Sequence, residues 1–378
     1  MIQPFSVHIA ESALADMRKR LMNTRWTDEV TNTGWSNGTS LAYMKELANY
    51  WIHAFDWRKT EREINSYPNY MADIDGCKIH FIHVKGKGQK RIPLIMTHGW
   101  PGSFLEMMKV IPLLTQHQPL SFDLVIPSLM GYGFSQKITE TGCNSIFVAD
   151  LWHKLMLKLG YEQYGAQGGD VGAGVSMIMA SRYPDHMIGL HLNFISGAFK
   201  PYLQTGEALS PEVIAFQQYL AEWIDKDGAY SHQHRTKPLT LAYGLNDSPT
   251  GLCAWIIEKF QRWSDNNGQI ESVFTKDELL SNVSLYWLTE SIHSSIRIYN
   301  ESSKAPFVFG KNDFIKVPTA LAKFPKELPI PPRSYIEKAF NIQRWTEMPV
   351  GGHFAAMEQP MLLAGDVIDF FKEITEIQ

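Results

Sequence analysis

The sequence predicts an α/β fold, a mostly parallel, doubly wound sheet with a helical lid and a largely helical N-terminal extension. Three observations predict it. Short apolar runs such as Ile92–Met96 and Leu124–Ile126 end in glycine-rich loops, the pattern of parallel strands buried on both faces. Strand-like and helix-spaced segments alternate from Ile74 onward. After residue 195 the alternation stops for about a hundred residues and then resumes, which marks an insertion.

Residues 9–65 read as helical, because Ala13, Met17 and Leu21 recur at spacing four and LAYMKELANYWIHAF continues the stripe through Leu41, Met44, Leu47 and Trp51. An Asp-Gly turn signal then precedes the alternating Cys77, Ile79, Phe81. Helical SIFVADLWHKLMLKLG leads into a short strand at Tyr164–Gln167, a tight glycine turn and helical VGAGVSMIMASRY. MIGLHLNFI (187–195) is a further buried strand. Within the insertion, TGLCAWIIEKFQRWS and NVSLYWLTESIHSSIRIYN have helical spacing. FIKVPTALAKF (314–324) and a last helix after His353 complete the core. The expected division is an N-terminal extension (1–75), a first core segment (76–197), a lid (198–303) and a second core segment (304–378).

The 378 residues carry 35 basic and 39 acidic side chains, a net charge of −4, with 44% hydrophobic and 20% charged residues. These values are close to the globular average, and no Lys/Arg run points to nucleic acid or an anionic membrane surface. A small molecule is the expected partner. Cys77, Cys143 and Cys253 form no CxxC motif or metal-ligand cluster, as suits a reducing cytoplasm without a bound metal. No basic segment followed by an apolar one opens the chain, and no apolar run reaches the roughly 18 residues that span a bilayer, so a soluble chain without an anchor is expected.

The chemistry-bearing residues lie in the loops that follow strands. Gly168-Gly169-Asp170-Val171-Gly172 sits between strand and helix, with small residues two positions either side of Asp170, as a nucleophile elbow requires. The alternative is a plain glycine turn with Asp170 as a helix cap. Thr97-His98-Gly99-Trp100-Pro101-Gly102 follows an earlier strand, where the Trp100 amide would supply one oxyanion donor and the Val171 amide the second. His98 reads as a packed structural histidine. Gly351-Gly352-His353 precedes the final helix, so an acid between residues 305 and 350 would complete the order nucleophile, acid, histidine. Of Asp313, Glu327, Glu337 and Glu347, Glu327 is preferred because it follows a strand, with Asp313 as the fallback. An Asp nucleophile suits attack on a carbon bearing a strained or good leaving group, giving an alkyl ester that a histidine-activated water then hydrolyses. An epoxide oxygen would want phenol donors and a halide N–H donors. Tyr230 and Tyr299 are the attractive pair among 15 tyrosines.

These residues resemble the α/β-hydrolase-fold epoxide hydrolases of the microsomal type. The resemblance runs through Arg25-Trp26, Tyr50-Trp51, Asp56-Trp57-Arg58, Ile74-Asp75-Gly76 and Ile79-His80-Phe81-Ile82-His83 in the N-terminal region. It continues in HGWPGS, GYGFS, QGGDVG and GGHFAA of the core, and in LNDSPTGLCAWIIEKFQRW (245–263) and SSIRIY (294–299) of the lid. It implies that Asp170 is the nucleophile, His353 the base and Glu327 the acid, in a Phe-Pro-x-Glu motif. Tyr299 matches the second epoxide-polarising tyrosine and Tyr230 the first, with Tyr243 as the alternative. Val171 stands where relatives often have Trp. Trp100 and Phe104 are expected to line the substrate pocket. The resemblance is to the soluble microbial branch, and it implies a cofactor-independent enzyme and a homodimer; the 11 Trp and 20 Phe suggest an aromatic-lined pocket and an apolar or aromatic epoxide as substrate. The rivals are a haloalkane dehalogenase, which needs two halide-facing N–H donors, and a catalytically silent ligand-binding protein on the same fold.

Overall fold

The computed structural model describes residues 1–375. Its strands are β1 (Ile2–Phe5), β2 (Asn69–Ile74), β3 (Cys77–Val84), β4 (Lys90–Thr97), β5 (Leu120–Pro127), β6 (Tyr164–Gly168), β7 (Met187–Leu192), β8 (Ile315–Lys323) and β9 (Phe340–Glu347). They form one sheet in the order β1-β2-β3-β5-β4-β6-β7-β8-β9. The first three strands pair antiparallel, β3 meets β5 antiparallel, and every pairing from β5 to β9 is parallel. The central strands read as continuous apolar runs because both faces are covered: all eight residues of β5 are buried.

The helices are α1 (Glu11–Met22), α2 (Leu41–His53), α3 (Trp57–Asn65), α4 (Ile111–Thr115), α5 (Ser145–Lys158), α6 (Asp170–Arg182), α7 (Pro211–Asp227), α8 (Ala229–Thr236), α9 (Pro238–Leu245), α10 (Pro249–Trp263), α11 (Lys276–Leu288), α12 (Ile292–Lys304), α13 (Arg333–Ile336), α14 (Ala355–Glu358) and α15 (Pro360–Thr375). Helices α7 to α12 lie between β7 and β8 in the chain and form the cover over the sheet's carboxyl edge.

Three elements depart from the sequence reading. The N-terminal segment is helical over α1 to α3, but it also adds β1 and β2 to the sheet edge, and residues 23–40 are irregular. Strand β1 is only four residues long and half-exposed, too short to show a period. The continuous helical pattern over NVSLYWLTESIHSSIRIYN breaks into α11 and α12 at Thr289–Ser291, where Glu290 takes a positive φ of 50°. Strand β9 escaped detection because its residues are mostly half-buried and carry no clean alternation.

The parallel strands aim their carboxyl ends at one edge, and the loops leaving that edge carry the reactive side chains. The loop after β4 presents Gly99 and Trp100, and β6 runs directly into Asp170 at the start of α6. The loop after β8 carries Glu327 and the one after β9 carries His353.

Candidate active site

Asp170 begins α6 with a φ of +46°, a left-handed conformation that a non-glycine residue rarely adopts. Its neighbours explain how the turn closes. A Cβ on Gly172 would lie 2.0 Å from the Thr97 carbonyl oxygen, and one on Gly99 would lie 2.2 Å from Asp170 Oδ1. Only glycine lets the β4 loop and the α6 turn approach this closely. That approach places the Trp100 amide 2.8 Å from Asp170 Oδ1, to which it donates. Burial raises the Asp170 pKa, while His353 and the Trp100 and Val171 amides favour its charged form. The Asp170 side chain is thus mostly buried, with two amides and an imidazole working against the pull of burial toward the neutral acid.

His353 Nε2 lies 3.6 Å from Asp170 Oδ2, too far for a hydrogen bond, and its Nδ1 lies 2.5 Å from Glu327 Oε1. Glu327 therefore fixes the ring so that Nε2 faces Asp170. Backbone contacts lock both residues in place: the His353 amide donates to the Trp263 carbonyl at 2.8 Å, and the Leu328 amide donates to Glu327 Oε1 at 2.7 Å. Burial opposes the imidazolium, but the carboxylates of Glu327, Asp170 and Glu106 outweigh it and raise the His353 pKa to about 9. Asp313 occupies an exposed turn before β8, where it accepts the Gly310 amide at 2.7 Å. Glu337 pairs with Arg333 and Glu347 with Lys323, so neither faces His353.

The lid brings Tyr230 (α8) and Tyr299 (α12) over this edge, with ring centroids 6.3 Å apart. Tyr230 stacks on the Trp100 ring at 5.3 Å and 12°. The Tyr299 hydroxyl is buried without a hydrogen-bond partner, and burial followed by the Asp170 charge raises the pKa of both phenols. Tyr243, one helix further along, is 74% exposed and lies outside the cluster. Phe104 is fully buried, packs against His80 at 5.0 Å and Phe134 at 6.2 Å, and does not line the cavity that Trp100 and Asp170 share. Sequence cannot separate a buried core aromatic from a pocket one. His98 accepts the Leu129 amide at Nε2 (3.1 Å) and is held neutral by burial, with a pKa of about 4. It joins two loops.

Three residues of the site were not singled out in the sequence. Glu106 lines a cavity of about 20 Å³ together with Asp170, His353 and Trp100, and burial raises its pKa to about 8. Such a cavity holds about one water. A far larger hollow of about 460 Å³ between α3 and α11 reaches Glu106 but neither Asp170 nor His353, so size does not locate the chemistry here. His234, one turn after Tyr230, accepts the Trp255 indole N–H at 3.1 Å and meets the rings of Trp100 and Tyr299 edge-on at 4.5 and 5.1 Å. Lys259 lies over the Tyr230 ring. Only the i, i+4 spacing of Tyr230 and His234 was there to be noticed beforehand. Among the described residues no His/Cys/Asp/Glu group is placed to hold a metal, and no helix is long and apolar enough to cross a membrane.

Comparison with known proteins agrees with this geometry. The family described as "Epoxide hydrolase N terminus" matches residues 2–107, and the "alpha/beta hydrolase fold" family matches residues 92–360. Epoxide hydrolase 1 of Oryctolagus cuniculus is 38% identical over 98% of this chain and 88% of that protein. Among solved structures, the Aspergillus niger epoxide hydrolase superposes with a TM-score of 0.87 at 30% identity, covering 99% of this chain and 97% of that one. The juvenile hormone epoxide hydrolase of the silkworm Bombyx mori gives 0.86 at 31% identity, covering 100% and 95%. The chain, with its α/β-hydrolase fold, belongs to the epoxide hydrolase family.

Proposed function

We propose that the enzyme opens an epoxide through an ester on Asp170 and then hydrolyses that ester to a vicinal diol. The observation that carries this reading is the division of labour on the Asp170 carboxylate. Oδ1 already accepts the Trp100 amide, which leaves Oδ2 free beneath two buried tyrosines. Oδ2 attacks an epoxide carbon as the C–O bond breaks, and Tyr230 or Tyr299 gives its proton to the departing oxygen. The carboxylate charge disappears into the ester, and one phenol becomes a phenolate.

His353 serves the second step. The charge on Asp170 is one cause of the raised His353 pKa, so ester formation lowers that pKa, and the imidazolium passes its Nε2 proton to the phenolate, which restores the phenol and frees Nε2 to accept another. It takes the proton from a water at the Asp170 carbonyl carbon; the cavity beside Glu106 is of the right size to supply that water. The oxyanion develops on Oδ1, where the Trp100 amide already points and the Val171 amide assists. Collapse returns the Asp170 carboxylate and the diol, the acid proton passing to the departing alkoxide. His353 is left as the imidazolium and Tyr230 or Tyr299 as the phenol, the state from which the cycle began.

The aromatic lining by Trp100, Trp263 and Tyr230 fits an apolar or aromatic epoxide. Three unpaired cysteines fit a reducing cytoplasm, and a homodimer is the expected assembly. The deciding experiment is intact mass and peptide mapping of His353→Gln after exposure to a small aromatic epoxide or, separately, a chloroalkane. A gain equal to the whole epoxide on Asp170 supports the reading; a gain only from the chloroalkane makes the protein a dehalogenase.

A further inference from the structure

One cation is built into the lid beside the tyrosines. Lys259 lies on α10, four residues before Trp263, so the two side chains share a helix face. Its side chain is only 8% exposed, a degree of burial lysine seldom accepts without partners. Glu258 provides one, through an ion pair. The second is aromatic: the ammonium sits 4.9 Å from the centroid of the Tyr230 ring and 5.5 Å from that of Trp263. A lysine serving Glu258 alone could do so at the surface without desolvation.

We propose that Lys259 is a positioning residue whose ammonium, held over the Tyr230 ring, favours the phenolate that Tyr230 becomes when it protonates the opening epoxide. The inference rests on the ester mechanism above. Burial and the carboxylates of Asp170 at the start of α6, Glu327 after β8 and Glu258 on α10 oppose this anion, the Tyr299 hydroxyl of α12 favours it, and His234 of α8 is an uncharged neighbour. His234 stays neutral because burial and Lys259 hold its pKa at about 3. Ester formation removes the Asp170 charge at the moment the phenolate appears. The attraction between the Lys259 ammonium and the ring grows once the ring carries negative charge. The proton balance is unchanged: the phenol O–H breaks, the alkoxide O–H forms, and the imidazolium later restores the phenol.

The test compares Lys259→Met and Lys259→Arg, each alone and with Tyr230→Phe. Rapid-quench mass spectrometry follows ester formation on Asp170 with a small aromatic epoxide, and ester decay is timed separately. Lys259→Met is expected to slow ester formation by about 10- to 30-fold, the scale of a desolvated cation–π contact, and to leave ester decay much less affected. Lys259→Arg is expected to keep most of the rate. In the Tyr230→Phe background, where Tyr299 alone donates, the Met substitution should cost little more. An equal loss in both backgrounds, or no loss in either, overturns the role of Lys259. If Lys259→Met melts as a misfolded protein, Lys259→Gln takes its place in the same cycle. A parent enzyme that forms no ester rejects the mechanism and this role together, whereas ester formation unaffected by Lys259→Met rejects Lys259 alone.

Discussion

The sheet edge and the lid treat their polar groups differently. On the sheet edge, Asp170 Oδ1 accepts the Trp100 amide, His353 Nδ1 is tied to Glu327 Oε1, and Glu327 Oε1 accepts the Leu328 amide, although Glu327 Oε2 and the Trp100 indole nitrogen are buried without partners. On the lid side the Tyr299 hydroxyl, His234 Nδ1 and the Trp263 indole nitrogen are buried without partners, with no such chain of bonds beside them. Buried donors left unpaired cost stability, about 1–3 kcal/mol each. The difference bears on the proposed mechanism: each side chain that would hold geometry has at least one atom bonded within the protein, and the hydroxyl that would meet a developing oxyanion is left open for it.

The largest break in this comparison comes from its centre. Asp170→Ala removes the proposed nucleophile, and diol formation is expected to fall by at least about 10⁴-fold, with no epoxide-derived mass on the protein. The next comes from Glu327→Ala, which strips the buried imidazolium of its partner. It is expected to slow ester decay and to lower unfolding free energy by about 3 kcal/mol, read from denaturant melts at pH 7. Equal stability of parent and variant would mean that the sheet edge is not held by this pair.

That paired edge was legible in the sequence because its constraints are local. The tight turn at Asp170 demands tiny flanking residues, and the approach of the β4 loop demands Gly99, so QGGDVG and HGWPG carry their geometry in their spelling. Glu327 could be read because it follows a strand. The lid side resisted because it is assembled from α8, α10 and α12, which meet only in the folded chain. Burial separates Tyr230, 6% exposed, from Tyr243 at 74%, and only the folded packing shows that Trp100 and not Phe104 lines the cavity at Asp170. Glu106 and Lys259 gain their character from neighbours far away in sequence. The β1 and β2 additions were missed for the same reason, since their pairing partners and not their own short patterns define them.

A smaller effect tests whether the lid donors act separately. Tyr230→Phe and Tyr299→Phe are each expected to slow ester formation by about 10- to 100-fold, and the double variant to slow it further, because each phenol can still donate when the other is absent. Ester decay should change little. A single substitution as damaging as both together would mean that one tyrosine carries the proton and the other only shapes the pocket.

The paired edge also predicts a pH signature. Burial resists the His353 charge, but Glu327, Asp170 and Glu106 raise its folded pKa to about 9, above the unfolded value of 6.5. A raised folded pKa contributes stability that is complete below the unfolded pKa and is lost as pH rises through the folded one. The melting temperature of the parent is therefore expected to fall between about pH 6.5 and 9 more than that of His353→Gln. Parallel curves for the two proteins would remove His353 from the pH dependence.

The smallest expected effect has the opposite sign on the other side of the site. Tyr299→Phe deletes a hydroxyl that is buried and bonded to nothing in the protein, while the ring that packs against Trp100 and His234 stays. The desolvation cost of the hydroxyl disappears and no hydrogen bond is lost, so the variant is expected to match or exceed the parent in stability by up to about 1 kcal/mol, read as a rise of a few degrees or less in melting temperature. It does so while slowing ring opening, and that pairing of gains and losses is what a functional polar group implies. A clear drop in melting temperature would show that the hydroxyl is bonded in the resting enzyme, and the contrast between a bonded sheet edge and an open lid would have to be redrawn around water held between the two tyrosines.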